Sequence, residues 1–344
     1  MKVPEKLCLL LLLAGLTATA WADDSMKDGY KILKKIPLSG NGGWDYLKAD
    51  THERRLFVTH DTVVQVLDMD TLKVVGTIEG TQRAHGVAWA DELERGFVSS
   101  GSTNTILVFD LKTFKKTGEI KAGQNPDAII YDRTSDRVFA FNGEDGTATV
   151  ADAATGVVMA TVNLGGKPEF AVTDGMGHVY DNLVDKNEVI EIDAKTSKIL
   201  NRWPVAPGNS PSGLAMDKKN GRLFIGCHNE KMIVMDAKTG KVIQTVSIGK
   251  GIDATIFNAE SQTIYDSCGD GTMTVIHEDS PNQYSVVDNA TTQPGSRTMA
   301  VDSQTGHVFL PAAQFEPPSK PTAENPKPRR KVIPGTFEIL VVGK

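Results

Sequence analysis

The feature that most constrains this chain is a repeat of about 42 residues running from end to end. One segment, an apolar stretch closing in Asp or Asn, recurs at residues 45–50, 86–91, 127–132, 169–174, 212–217, 253–258 and 297–302. The closing positions are separated by 41, 41, 42, 43, 41 and 44 residues. A period in that range marks a repeat architecture whose units stack and share their cores.

Each unit holds four short strand candidates divided by turn residues. In the fifth, a turn at 217–221 leads into strand candidates at 222–225, 232–236 and 242–248. The third turn recurs as Asp-x-x-Thr at Asp68/Thr71, Asp110/Thr113, Asp152/Thr155, Asp193/Thr196 and Asp236/Thr239. Asp and Thr can bond their own backbone there, while Gly156 and Gly240 supply positive φ. Calcium ligation by these Asp residues is disfavoured, because the turns lack a dense run of oxygen ligands. Four antiparallel strands per ~40 residues is the arithmetic of a propeller blade. Seven repeats predict an all-β, seven-bladed β-propeller of four-stranded antiparallel blades spanning residues 23–344. The last repeat is one strand short, and residues 30–38 resemble a fourth strand. The N-terminal strand is therefore predicted to pair with the last blade and close the ring.

These repeats resemble the YVTN-repeat family of β-propellers, exported bacterial proteins often described as YncE-like. The family's Tyr-Val-Thr-Asn ending reads here as Phe57-Val58-Thr59-His60, with weaker copies at 139–142, 224–227 and 265–268. The hairpin from Thr239 to Ile243, with Ile248-Gly249 beyond, is similar to the family's third turn and fourth strand. The resemblance implies the fold and export. It leaves function open, because propellers host binding and catalysis alike. DNA binding and lactonase- or lyase-like activity, reported for some relatives, have no matching motif here.

Met1, Lys2 and Lys6, an apolar run over 7–16, and Ala20-Trp21-Ala22 before Asp23-Asp24 read as a signal peptide over residues 1–22. The run is too short to span a bilayer. Cleavage leaves 322 residues and moves the net charge from −6 to −7, since Lys2, Lys6 and Glu5 depart. A periplasmic or secreted protein is expected, without membrane insertion after cleavage and as a monomer. Cys227 and Cys268 remain in an oxidising compartment. Their equivalent places in adjacent blades imply Cα atoms roughly 8–10 Å apart, beyond the ~7 Å a disulfide tolerates, so two thiols are favoured over a bridge.

Blade connectivity places inner-strand starts and second-strand ends on one face around the channel. The inner ring is predicted as Asp45, Gly86, Asp127, Glu169, Ser212, Asp253 and Arg297, preceded by Trp44, His85, Pro126, Pro168, Pro211, Ile252 and Ser296. The second ring contains His60, Ser100, Asn142, Leu183, Cys227, Cys268 and Ala312. Asp45, His60, His85, Asp127, Asn142, Glu169, Asp253 and Arg297 are the candidate ligand-binding residues. Four carboxylates against one Arg favour cations or polyhydroxyl ligands and repel phosphate backbones, as does a pI near 5.7. Mutual repulsion is expected to raise some of their pKa values. The same residues could instead satisfy inner-strand amides around a water-filled channel.

His60, His85 and Asp45 would suit a divalent metal. No His-x-x-x-His or paired-Cys spacing supports one, so neither metal nor cofactor is expected. An enzyme would draw its general base from the carboxylates or His85 and its polarising group from Arg297. The leading expectation is a non-catalytic scaffold for a protein partner or a small polar or cationic ligand, with nucleic acid disfavoured. The Pro-rich stretch 313–335, with Arg329-Arg330-Lys331, is expected to be extended or mobile and to project from the carboxylate face.

Overall fold

In the computed structural model, the described residues are 29–40, 43–317, 322 and 330–344. The predicted signal peptide lies outside them. They form seven four-stranded antiparallel sheets. The one helical element among them is a 3₁₀ turn, Asp91–Leu93. No helix among these residues is long and apolar enough to cross a membrane.

Burial explains each strand's composition. Second strands such as Arg55–His60 and Arg137–Asn142 are covered on both faces, with apolar runs at 56–58 and 138–141 and buried polar residues at their ends. Outer strands such as Val74–Glu79 and Lys116–Lys121 face solvent on one side and each bury one aliphatic residue, Ile78 or Ile120. Among the described residues the apolar core divides into seven clusters, each joining two neighbouring blades.

The five Asp-x-x-Thr turns form as expected. Thr155 donates both its N–H and its hydroxyl to Asp152 Oδ1 at 2.7 Å, and Thr239 does the same to Asp236 at 2.9 and 2.8 Å. Gly156 and Gly240 take φ of 75° and 69°.

Lys31–Pro37 pairs antiparallel with Glu338–Gly343 and completes the last blade. The seam cluster mixes Leu47, Leu56 and Val58 of the first blade with Phe309, Phe337 and Ile339 of the last. Arg54 spans the seam to Asp302 with a bidentate pair at 2.8 and 2.9 Å.

Two expectations need correction. The second inner strand is Ala84–Ala90, so Ala90 is the closing residue and Asp91 already belongs to the 3₁₀ turn. The Pro-rich stretch is not wholly irregular. Phe315 and Val332 form an antiparallel bridge, with Glu316 N–H on Lys331 O and Ile333 N–H on Gln314 O, each at 2.8 Å. These stem residues keep the backbone donors that the neighbouring prolines lack.

Candidate functional site

The inner strands of the first six blades each start with a β-bulge, and the bulge builds the site. In the first blade Trp44 pairs with His60 but Leu47 with Val58, so the inner strand carries one extra residue. The same slip follows Ala84, Pro126, Pro168, Pro211 and Ile252. A bulge breaks the strict alternation of side chains. Consecutive residues thus reach the channel together: Asp45 with Tyr46, and Glu169 with Phe170.

Tyr46 and Phe170, from the first and fourth blades, meet with ring centroids 4.5 Å apart. They form a floor across the channel, since both line the cavity above and the cavity below. The upper cavity holds about 610 Å³ and, among the described residues, is lined by six carboxylates, Asp45, Asp61, Asp127, Glu144, Glu169 and Asp253. Arg83, Lys167 and Arg297 are the opposing Arg and Lys side chains among the described residues.

His85 is the best-held side chain there. Its Nδ1 lies 2.5 Å from Asp45 Oδ2 and 3.4 Å from Asp127 Oδ1, and its Nε2 faces Asn125 Oδ1 at 3.3 Å. Burial opposes charge on the imidazole, yet the bond to Asp45 and the charge of Asp127 prevail and raise its pKa. Across the cavity, Arg297 Nε pairs with Asp253 at 3.2 Å, and Lys167 stands 3.8 Å from Glu169.

The remaining charge is in conflict. Burial, then repulsion from Asp127 and Asp253, pushes Glu169 up to about 8. Burial and Asp45 push Asp127 up to about 6. Asp253 also rises through burial, opposed by Arg297. The Tyr46 phenol is held well above its ordinary value by burial and by the four carboxylates around it.

Of the eight candidate residues, six converge here: Asp45, His85, Asp127, Glu169, Asp253 and Arg297. His85, not Gly86, occupies the second blade's ring position, because the inner strand there begins one residue earlier than the Asp-terminated alignment implies. His60 and Asn142 do not line this cavity. His60 is buried against Phe337, ring centroids 4.2 Å apart. Asn142 donates to Thr147 and Thr149 inside its blade, at 2.8 and 3.1 Å. Arg83, Asn125 and Lys167 join from the position just before each inner strand, whose periodicity was readable. Cys227 and Cys268 are both free and buried. The Pro-rich stem meets this face, with Phe315 6.0 Å from Trp44 and Arg330 5.0 Å over the Phe315 ring.

No family model matches the sequence, and no curated protein matches it. Among solved structures, Kuenenia stuttgartiensis hydrazine synthase is similar in fold, with a TM-score of 0.68 at 11% identity. The match covers 79% of this chain and 94% of that one. At that identity the likeness carries the seven-bladed fold alone.

Proposed function

We propose that this protein is an exported scaffold whose upper channel mouth binds an organic cation, an amine or guanidinium of a small ligand or of a partner's side chain, without catalysis. One observation carries the reading: carboxylates that repel one another converge above an aromatic floor. An ammonium group entering there relieves the repulsion and meets ring faces that attract cations. The repeat resemblance and the predicted signal peptide support export to the periplasm or beyond. The same acidity disfavours nucleic acid, and Arg297, the candidate polarising group of an enzyme, is engaged by Asp253.

Spermidine is a suitable probe in thermal shift and calorimetry. It is expected to stabilise the protein at pH 8 and far less at pH 4.5, where Asp127 and Glu169 hold protons. Asp127→Asn with Glu169→Gln is expected to weaken binding about tenfold or more. Equal shifts in the wild type and this double variant would exclude the mouth as the cation site.

A second reading rests on its own observation. Asp45, His85 and Asp127 bring one ligand atom each within 4.8 Å of one another. Those donors suit a divalent metal, and Asn125 would orient the imidazole from behind. Zn²⁺ or Mn²⁺ binding that vanishes in His85→Ala and survives Glu169→Gln would favour the metal over the amine.

A further inference from the structure

Beneath the Tyr46–Phe170 floor the channel reopens as a second chamber of about 330 Å³. It sits where the inner strands end, and its chemistry is opposite to that of the upper mouth. Leu47, Ile130, Val172, Leu214, Ile256 and Met299 give it aliphatic walls. Lys48 and Lys218 bring two ammonium groups to it, and its described lining includes no carboxylate.

The nearby acids that close the inner strands are engaged elsewhere. Asp50 holds Arg55 at 2.6 Å, Asp132 accepts from Ser135 and Thr173, and Asp217 accepts from the Lys219 N–H through Oδ1, while its Oδ2 is buried without a hydrogen-bond partner and outside the chamber lining. Lys48 instead stands 4.9 Å over the Trp89 ring. Burial and the like charge of Lys218 depress it to about 8. Two cations beside an apolar wall are a standing electrostatic cost that an anion would remove.

We propose that this lower chamber is a binding site for a small aliphatic carboxylate, its tail under the aromatic floor and its head between Lys48 and Lys218. The volume lies within the ~300–1,000 Å³ of small-molecule sites. The apolar wall selects for a hydrocarbon body, and the lysine pair selects against a neutral or cationic head. The site is independent of the cation-binding mouth, because the two share only the floor.

Three probes with one tail test it: decanoate, decanol and decyltrimethylammonium, each below its micelle concentration, titrated calorimetrically into the intact protein. Decanoate is expected to bind at least tenfold more tightly than the other two. Lys48→Met, which keeps the volume and removes the charge, is expected to weaken decanoate about 10- to 100-fold, the range for a bond to a charged group. Decanoate is also expected to protect Lys48 of the wild-type protein from reductive methylation, read by peptide mass spectrometry, which decides the matter even if the variant fails to fold. Equal affinity for all three probes, unchanged affinity in folded Lys48→Met, or unprotected Lys48 at saturating decanoate would each overturn the proposal.

Discussion

Glu169 carries the sharpest electrostatic conflict in the molecule's upper mouth. Its folded pKa, about 8, lies above the ordinary 4.5 because of burial and of Asp127 and Asp253. The unfolded chain therefore releases this proton first as pH rises. Its contribution to stability falls between about pH 4.5 and 8 and is level outside that window. Glu169→Gln keeps the shape and removes the charge. It is expected to raise the melting temperature by roughly 2–6 °C at pH 8.5 and to leave it unchanged at pH 4. A gain of equal size at both pH values would show that packing, not ionisation, sets the effect. The acidity of this mouth was legible in the sequence, since Asp45, Asp127, Glu169 and Asp253 recur at one place in the repeat. The clamp on His85 was not. Its ring position depends on where a strand begins, and Asp91, one residue past the strand's end, mimicked the closing Asp of the other units.

At the scale of the strand, the repeat predicted pairing and turns well because both follow from local rules: short apolar strands divided by turn residues, and Asp-x-x-Thr bonding. The inner-strand bulges escaped it, since one extra residue in a strand of seven leaves no compositional trace. They nonetheless decide which side chains reach the channel. Glycines inside strands are similarly silent until partners are known. Gly96 pairs across the strands with Phe109, whose ring lies over it, and a Cβ at Gly96 would overlap that ring. Phe109 is fully buried in the cluster between the first two blades, so a shifted ring must displace its packed neighbours. Gly96→Ala is expected to cost about 1–3 kcal/mol through overpacking. A lowered urea midpoint at unchanged m-value would report it; a midpoint equal to wild type would mean that the ring has room to shift.

For the whole molecule, the ring has a single seam, and its strength depends on the two ends of the chain meeting there. Lys31–Pro37 supplies the outer strand of a blade whose other strands come from the C-terminal end. Tyr30 adds an N–H bond to Asp288 at 2.6 Å and a hydroxyl contact to Tyr265 at 3.0 Å, tying the closing strand to the sixth blade as well. Leu38 donates its N–H to Phe337 O at 3.0 Å and is buried in the seam cluster. A chain lacking residues 23–38 would keep six complete blades but expose the Glu338–Gly343 edge and part of the seam core. An open edge with apolar residues invites pairing between molecules. Both candidate sites depend on this closure, because Asp45 and Tyr46 stand beside the seam while Glu169 and Phe170 approach from across the ring. The truncated chain is therefore expected to lose more than ~10 °C of melting temperature, to form soluble aggregates in size-exclusion chromatography, and to lose spermidine and decanoate responses together. Arg54→Ala, which removes the pair to Asp302 across the seam and the exposed pair to Asp70, is expected to lower stability modestly while both responses persist. Melting of the truncated chain at the wild-type temperature would show that the ring holds without its closing strand.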